Sequence, residues 1–322
     1  MAIMKRPIKS EVVNVKKNSF FNSLRRDLKK NYVLYLLILP AVVMVLVFSY
    51  FPMYGVIIAF KNFKPALGIF GSKWVGFDNF TRFFSSYQFW DILKNTLVIS
   101  IYSLIATFPA PIILAIMINQ IKNSKYKKTL QTITYMPHFI STVVVCGMLT
   151  LFLNPSTGLY GHIMAFLGVV QPQDLLAKPK WFSSIYVLSD VWQHAGWDSI
   201  IYLATLSSVD VSIYEAATVD GANARQRIWN IDIPAMIPTT VILLILRVGG
   251  IMSVGFEKAF LLQNNLNIDA SEVISTYVYK VGMINQQYSF SASADLFNTV
   301  INFILLITVN QISKKVSETS LW

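Results

Sequence analysis

The stretch that decides the fold is Tyr214–Pro234, YEAATVDGANARQRIWNIDIP, a polar segment between two apolar runs. Its pattern predicts a short amphipathic helix, a break at Gly221 and a second, basic and aromatic helix that ends at Pro234. The small side chains of Ala216 and Ala217 would let the first helix lie close to a partner, and a glycine lets the backbone turn freely. The segment therefore predicts a docking surface for another protein.

The composition on either side of this segment is that of a membrane protein. Of the 322 residues, 54% are hydrophobic and only 13% are charged, and the mean hydropathy is +0.53. In a soluble chain about a quarter of all residues are charged. Apolar runs long enough to cross about 30 Å of hydrocarbon predict six spans, at about 32–60, 92–119, 133–153, 185–206, 235–256 and 296–312. We therefore predict an all-α integral membrane fold with one membrane domain.

The lysines and arginines orient these spans, because cytoplasmic loops carry an excess of both. Nine lie in segment 1–31, four follow the second span, two follow the fourth span and two follow the sixth. The opposite loops hold eight across much longer sequence. We predict that both termini are cytoplasmic. The predicted organisation begins with a basic tail at 1–31, which has an interfacial helix around 20–30. A six-span domain follows at 32–313, with its polar loop at 207–234, and then a tail at 314–322.

Several functional classes are disfavoured by what the sequence lacks. The net charge of +11 follows from membrane topology, and no basic surface with base-stacking aromatics points to a nucleic-acid partner. The apolar run after residue 31 is too long for a signal peptide and lacks a small-x-small cleavage site. Cys146 is the only cysteine, so we expect it to pack in the interior. The chain has no GxxxxGK[ST] or HExxH motif, and we predict no catalytic residue and no metal site.

Ionisable side chains inside a span are costly and usually face a cavity or a partner. In the fourth span Asp190, His194 and Asp198 follow one another at intervals of four residues, which makes one helix face polar over two turns. In the fifth span Arg247 lies roughly 18 Å from the predicted cytoplasmic end. Three further polar or aromatic residues flank the polar face, and we include them in the predicted substrate path: Trp192, Gln193 and Trp197.

Arg247 has two interpretations at this point. It can line a substrate path and receive a carboxylate bidentately, since a guanidinium matches that geometry, while Trp192 and Trp197 stack on sugar rings. Alternatively, Arg247 and Asp198 neutralise each other and hold two helices together. A metal site made by Asp190, His194 and Asp198 is allowed by spacing but has no other support.

Two further groups of charged or polar residues have a structural and a functional reading. His138, after Pro137 in the third span, is expected to be a packed or cavity-lining histidine. Glu257 and Lys258 at the outer end of the fifth span could close an outer gate, or form an ordinary interfacial ion pair with each other.

The polar loop resembles a known motif, the EAA loop of binding-protein-dependent ABC importers. Glu215-Ala216-Ala217, then Gly221, Ile231 and Pro234 occupy the motif positions, although Ile233 replaces the usual leucine before the proline. Segment 31–91 and segment 189–222 also resemble LplB/YteP-like permeases, members of the carbohydrate-uptake branch. The resemblance implies a type I permease fold in which this loop is the cytoplasmic coupling helix that docks on an ATP-hydrolysing subunit. The residues expected to carry the coupling are Glu215, Ala216, Ala217, Asp220, Gly221, Arg225, Ile231 and Pro234.

The resemblance also implies partners and a substrate class. We expect a second homologous permease subunit, two ATP-binding subunits that hold ATP and Mg²⁺, and an extracytoplasmic solute-binding lipoprotein, with no cofactor in this chain itself. The substrate would be an oligosaccharide, including acidic, pectin-derived fragments. The main alternative is a secondary sugar transporter driven by an ion gradient, in which the carboxylates of the fourth span carry protons. That alternative lacks an internal repeat and gives the polar loop no purpose. A membrane-embedded hydrolase is a third alternative, but no motif supports it.

Overall fold

The structure is a computed structural model that describes residues 26–317. Most of the predicted tail at 1–31 and the last residues of the predicted tail at 314–322 lie outside this range. Of the interfacial helix predicted around 20–30, only residues 26–30 are described, and these are helical. The chain divides between Val56 and Ile57 into two compact units.

The described residues are mostly helical, with one minimal sheet. Strands β1 (Lys61–Asn62) and β2 (Lys73–Trp74) pair antiparallel, with Lys61 opposite Trp74. Short helical turns at Pro65–Leu67 and Gly68–Gly71 connect them. The helices are α1 (Tyr32–Phe60), α2 (Asp78–Phe84), α3 (Phe89–Asn119), α4 (Ser124–Phe139), α5 (Thr142–Phe152), α6 (Leu159–Phe166), α7 (Pro179–Ser207), α8 (Val211–Val219), α9 (Ala224–Gly249), α10 (Phe256–Leu262), α11 (Ile268–Ser271), α12 (Ile274–Tyr279), which continues as a wide turn at Lys280–Ile284, and α13 (Tyr288–Ser317).

Four of these helices are long and apolar enough to cross a membrane: α1, α3, α9 and α13. Two further pairs pass the same test only together, and each is bent. The axes of α4 and α5 differ by 97°, and those of α7 and α8 by 71°. The described residues therefore contain four to six candidate spans, and six is the upper end of that range.

The predicted third and fifth spans differ from the observed helices. The apolar run predicted at 133–153 is not one helix, because α4 ends at Phe139 and α5 starts at Thr142 with Ser141 as its N-cap. Pro137 lies just before the break, where its missing N–H weakens a regular helix. The fifth span starts earlier and ends earlier than predicted. Helix α9 runs straight through Pro234 and stops at Gly249-Gly250, a glycine pair with low helix propensity.

The interior of the larger unit consists of three apolar clusters that follow one another along α3. Phe89 and Ile92 belong to the first cluster, Ile99 to the second, and Ala115 and Ile118 to the third. Helix α7 contributes to the second and third clusters through residues such as Val187 and Tyr202. Cys146 is a buried free thiol in the second cluster, which agrees with a packing role.

The aromatic residues of the loop between α1 and α3 take two different environments. Phe83 is 1% exposed and belongs to the first core cluster. The rings of Trp74, Phe77 and Phe80 instead gather around Phe60, at centroid distances of 5.7, 5.5 and 5.2 Å.

Candidate functional site

The predicted docking helix is α8, and its start is fixed by a side-chain cap. Asp210 accepts a hydrogen bond from the backbone N–H of Ser212 at 2.9 Å, as an N-cap does for the otherwise unpaired donors of a first turn. This bond holds the pKa of the exposed Asp210 carboxyl below its usual range. Along α8, Glu215 and Ala216 are exposed and Ala217 is half-buried. The helix thus presents a carboxylate beside small side chains.

The break after α8 is a left-handed turn at Gly221. Its φ is +78°, in the region where a side chain is strained and glycine is not. The N–H of Ala222 bonds to the carbonyl of Ala217 at 2.8 Å, and that of Gly221 to the carbonyl of Thr218 at 3.1 Å. This is the Schellman arrangement that ends helices with glycine. The predicted glycine break is therefore present, with Asp220 exposed immediately before it.

The second helix of the loop does not end at Pro234, contrary to the sequence prediction. A capping box between Asn223 and Gln226 starts α9 at Ala224, and the helix continues into the apolar run. A wide turn at Ile228–Asp232, in which the N–H of Ile233 bonds to the carbonyl of Ile228, precedes Pro234. Such a turn inserts an extra residue and changes which carbonyl faces the proline ring. Arg225 and Pro234 are exposed and Ile231 is half-buried.

A cavity with a volume of about 740 Å³ lies between α3, α7 and α9. Three predicted path residues line it, namely Trp197, Asp198 and Arg247. The rest of its lining is mainly apolar, and its polar members include Thr107 and Tyr202. A concave, mostly apolar site with a few polar groups is the usual form of a small-molecule site.

Arg247 makes its hydrogen bond to a hydroxyl and not to a carboxylate. Its Nη2 donates to Thr107 Oγ1 of α3 at 3.0 Å, and Thr107 in turn donates to the carbonyl of Ser103 at 2.7 Å. The ion pairs of the described residues do not include Arg247 with Asp198. Arg247 and Asp198 therefore form no direct ion pair, although both face the same cavity.

A second cavity of about 360 Å³ also has Arg247 in its lining. Asp190 and Tyr186 of α7 line it together with Ser100 and Ser103 of α3. Its remaining wall is the non-helical backbone from Gly250 to Gly255 that follows α9. Irregular backbone at membrane depth is tolerated where it lines a cavity. The early end of α9 therefore has a structural consequence: Arg247, in the last turn of the helix, borders both cavities.

Asp190 is the centre of a charged cluster that was not predicted from the sequence. His194 Nδ1 lies 3.3 Å from its Oδ1, and Lys258 Nζ lies 3.4 Å from the same oxygen. Lys258 is buried and also lies over the ring of Tyr186, 5.0 Å from the centroid. Burial lowers the pKa of Lys258, and the Asp190 carboxylate opposes that shift. Lys258 therefore pairs with Asp190 and not with Glu257, which is exposed.

Three of the predicted path residues, Trp192, Gln193 and His194, do not line either of these two cavities. Gln193 is 3% exposed, and its Nε2 donates a hydrogen bond to the carbonyl of Ile140 at 2.8 Å. This bond gives a partner to a backbone carbonyl at the break between α4 and α5. The His138 ring stacks on Trp197 at 4.4 Å with an interplanar angle of 3°. Trp192 is exposed, and neither it nor His194 lines the two cavities described above. Among residues 26–317 no group of three or more His, Cys, Asp and Glu side chains could hold a metal ion.

Thr107 and Ser100 were missed by sequence reasoning, because they look like ordinary polar residues of an apolar run. The hydrogen bond of Thr107 with Arg247 and the position of Ser100 in the wall of the second cavity distinguish them. Lys258 was recognised, but its pairing with Asp190 was missed. The glycine pair Gly249-Gly250 was a usable signal, because it marks an early end of α9 and hence a place where backbone groups are free.

Known proteins resemble this chain along most of its length. Residues 108–318 match the family described as binding-protein-dependent transport system inner membrane component. The protein LplB of Bacillus subtilis (strain 168) is 40% identical over 92% of this chain and 92% of its own. The polygalacturonan/rhamnogalacturonan transport system permease protein YteP of the same organism is 39% identical over 90% of each chain.

A solved structure shares the fold as well. It is a bacterial alginate ABC transporter in complex with an alginate pentasaccharide-bound periplasmic protein, and one of its chains matches with a TM-score of 0.85 and 39% identity. The match covers 92% of this chain and 99% of that one. The chain described here belongs to the family of inner membrane components of binding-protein-dependent transport systems and is a multi-pass membrane protein.

Proposed function

We propose that this chain is one permease subunit of an ATP-driven importer of acidic oligosaccharides, with six spans and both termini in the cytoplasm. Two of its relatives are named for the transport of polyuronates, polygalacturonan and alginate. Each sugar unit of such a polymer carries a carboxylate, so a path for it benefits from a fixed cation that has no permanent anionic partner.

Arg247 is the observation that carries this proposal. Its guanidinium lies at the border of two cavities and is oriented by the hydroxyl of Thr107, a neutral group. Because a guanidinium has five N–H donors, one bond to Thr107 leaves the others for a carboxylate. In a site of low dielectric such a charge-assisted, bidentate bond is strong and geometrically selective. Asp198, in the wall of the same cavity, can accept hydrogen bonds from sugar hydroxyls.

The energy would enter through α8. We assign the exposed Glu215, the small Ala216 and Ala217 and the Gly221 turn to a docking surface for an ATP-binding subunit, with Arg225 at the edge of that surface. Two such subunits would hold ATP and Mg²⁺, a homologous permease subunit would complete the path, and an extracytoplasmic lipoprotein would deliver the sugar. A two-state repacking of the spans would then alternate the access of both cavities.

Uptake of oligogalacturonate by the reconstituted assembly in proteoliposomes tests this proposal. We expect uptake to require internal ATP. We expect Arg247→Gln to lower kcat/KM by about tenfold or more, as for the loss of a hydrogen bond to a charged group, and Arg247→Lys to fall between the two. Lys125→Gln, an exposed charge at the start of α4, is the control for the loss of one positive charge. Uptake without ATP, driven by a proton gradient, would refute the proposal in favour of the secondary transporter.

A further inference from the structure

A buried carboxylate lies beneath the docking helix, at the point where three helical segments meet. Asp232, in the wide turn of α9, is 0% exposed. Its Oδ1 accepts a hydrogen bond from the Tyr214 hydroxyl of α8 at 2.6 Å. Its Oδ2 accepts one from Nε2 of Gln120, at the end of α3, at 2.9 Å. We call this group of three side chains the cytoplasmic node.

If the cytoplasmic node served only to pack the three segments together, burying its carboxylate would cost free energy without need. A buried carboxylate needs compensation for its lost hydration, and the ion pairs found among the described residues give Asp232 no cation. Two neutral donors from two different helices provide the compensation instead. An apolar contact would hold the same three segments without a buried polar group. Removing one partner of a buried polar group costs more free energy than the hydrogen bond itself contributes. The two hydrogen bonds of the node therefore fix the three segments relative to one another.

The same two helices that flank the node meet again at the cavity. Thr107 lies 13 residues before Gln120 on α3, and Arg247 lies 15 residues after Asp232 on α9, which corresponds to roughly 20 Å along each axis. Gln120 bonds to Asp232 at one end, and Thr107 bonds to Arg247 at the other. Helices α3 and α9 are thus tied at two points, and α8 is attached to this pair at the first of them.

A second bond supports the attachment of α8. Arg227 Nη1, in the first turns of α9, donates to Thr218 Oγ1 of α8 at 3.1 Å. It is exposed, so water competes with it and it contributes little. Tyr214 and Thr218 are one helical turn apart, and both contact α9. The bond between Tyr214 and Asp232 is partly buried and ends on a fully buried carboxylate, so it is the one of the two that can transmit a displacement.

We propose that Asp232 is a positioning residue for energy coupling: through Tyr214 and Gln120 it makes a displacement of α8 move α3 and α9 together, and with them the Thr107–Arg247 pair of the cavity. This inference rests on the proposed function, because it gives α8 the role of the docking helix. Asp232 touches neither nucleotide nor sugar in this proposal. Its effect appears in the number of ATP molecules hydrolysed for each sugar imported.

The test uses the full assembly in proteoliposomes and measures ATP hydrolysis and oligogalacturonate uptake in parallel. The variants are Tyr214→Phe, Asp232→Asn and the double variant Tyr214→Phe/Asp232→Leu, and Tyr126→Phe is the matched control, since Tyr126 is 57% exposed on α4. We expect Tyr214→Phe to raise the ATP hydrolysed per sugar by about tenfold, as for the loss of one hydrogen bond to a charged group. Asp232→Asn should raise it less, because its amide oxygen still accepts from Tyr214.

The double variant separates coupling from simple stability. Replacing both partners by apolar groups can restore folding stability, and the amide of the half-buried Gln120 can turn to water. We therefore expect the thermal unfolding midpoint of the double variant to recover towards wild type while the ATP-to-sugar ratio stays high. A ratio equal to wild type in Tyr214→Phe would overturn the inference. So would a double variant that recovers both quantities, or loss of assembly in all three variants with Tyr126→Phe intact, since either result makes the node purely structural. If wild type itself imports sugar without ATP, the proposed function fails first.

Discussion

The ammonium group of Lys258 lies 3.4 Å from Asp190 Oδ1, and only 5% of the lysine is exposed. The pair joins α7 to α10, the helix that follows the irregular end of α9. Because Lys258 is buried, its charge depends on Asp190 far more than a surface lysine would depend on a partner. Asp190 and Tyr186, whose ring lies beneath the ammonium, both line the second cavity.

Removing both members of this pair should destabilise the protein less than the two single removals added together. We expect Lys258→Met or Asp190→Asn alone to cost about 2–3 kcal/mol, because a buried charged group loses its partner. The double variant should cost less than the sum of the two. Thermal unfolding of the purified assembly in detergent measures this, and strictly additive shifts would show that the contact carries no coupling energy.

A second prediction concerns the close approach of α7 and α4. A Cβ on Gly196 would clash with the backbone carbonyl of Thr134, which cannot move aside as a side-chain end could. We expect Gly196→Ala to cost about 1–3 kcal/mol through overpacking and to lower the yield of folded protein on size exclusion. Gly147→Ala on α5 is the matched control, because a Cβ there meets nothing within 4 Å. Equal yields of the two variants would contradict the observed packing.

The Gly221 turn allows a prediction that depends on backbone conformation alone. A Cβ at Gly221 would find open space, but its φ of +78° strains a side chain. We expect Gly221→Ala to destabilise the end of α8 by about 1 kcal/mol, and Gly221→Asn by less, since asparagine tolerates this region. Sugar-stimulated ATP hydrolysis should follow the order Gly, Asn, Ala. An alanine variant as active as wild type would show that the turn geometry does not matter for docking.

Thr107 offers a test of how Arg247 is oriented. Thr107→Val keeps the shape but removes the acceptor for Arg247 Nη2, and Thr107→Ser keeps the hydroxyl. We expect Val to raise the KM for oligogalacturonate uptake by about fivefold, corresponding to about 1 kcal/mol for one hydrogen bond, and Ser to leave it near wild type. If Thr107→Val alters only the amount of folded protein, Thr107 has no part in positioning the guanidinium.

Local patterns predicted the features whose causes are local. The length of each apolar run, the helix at Tyr214 and the turn at Gly221 follow from residues close together in sequence. The break between Phe139 and Thr142 and the end of α9 at Gly249 were missed because hydropathy continues across both, although Pro137 and the Gly249-Gly250 pair were signals. Pro234 misled in the opposite direction, since the wide turn before it lets the helix continue.

The contacts of the site could not be predicted in the same way. Arg247 and Thr107 are 140 residues apart, and Lys258 and Asp190 are 68 apart. Which polar side chain meets which depends on the packing of α3, α7 and α9, and no spacing within one helix encodes it. Sequence reasoning identified Arg247 and Asp198 as unusual because of their cost in a membrane, but it could not identify Thr107 as the hydrogen-bond partner of Arg247.

The break between α4 and α5 has a consequence for the biogenesis of the protein. Helix α5 has 11 residues and rises only about 16 Å, roughly half of the hydrocarbon thickness. A nascent chain that ends after α5 therefore cannot leave the translocon as a finished transmembrane segment, and the free carbonyl of Ile140 would face lipid. Gln193 of α7 satisfies that carbonyl, so we expect α4 and α5 to integrate only once α7 has been synthesised. Lateral release into the bilayer would then occur for these segments together and not one after another.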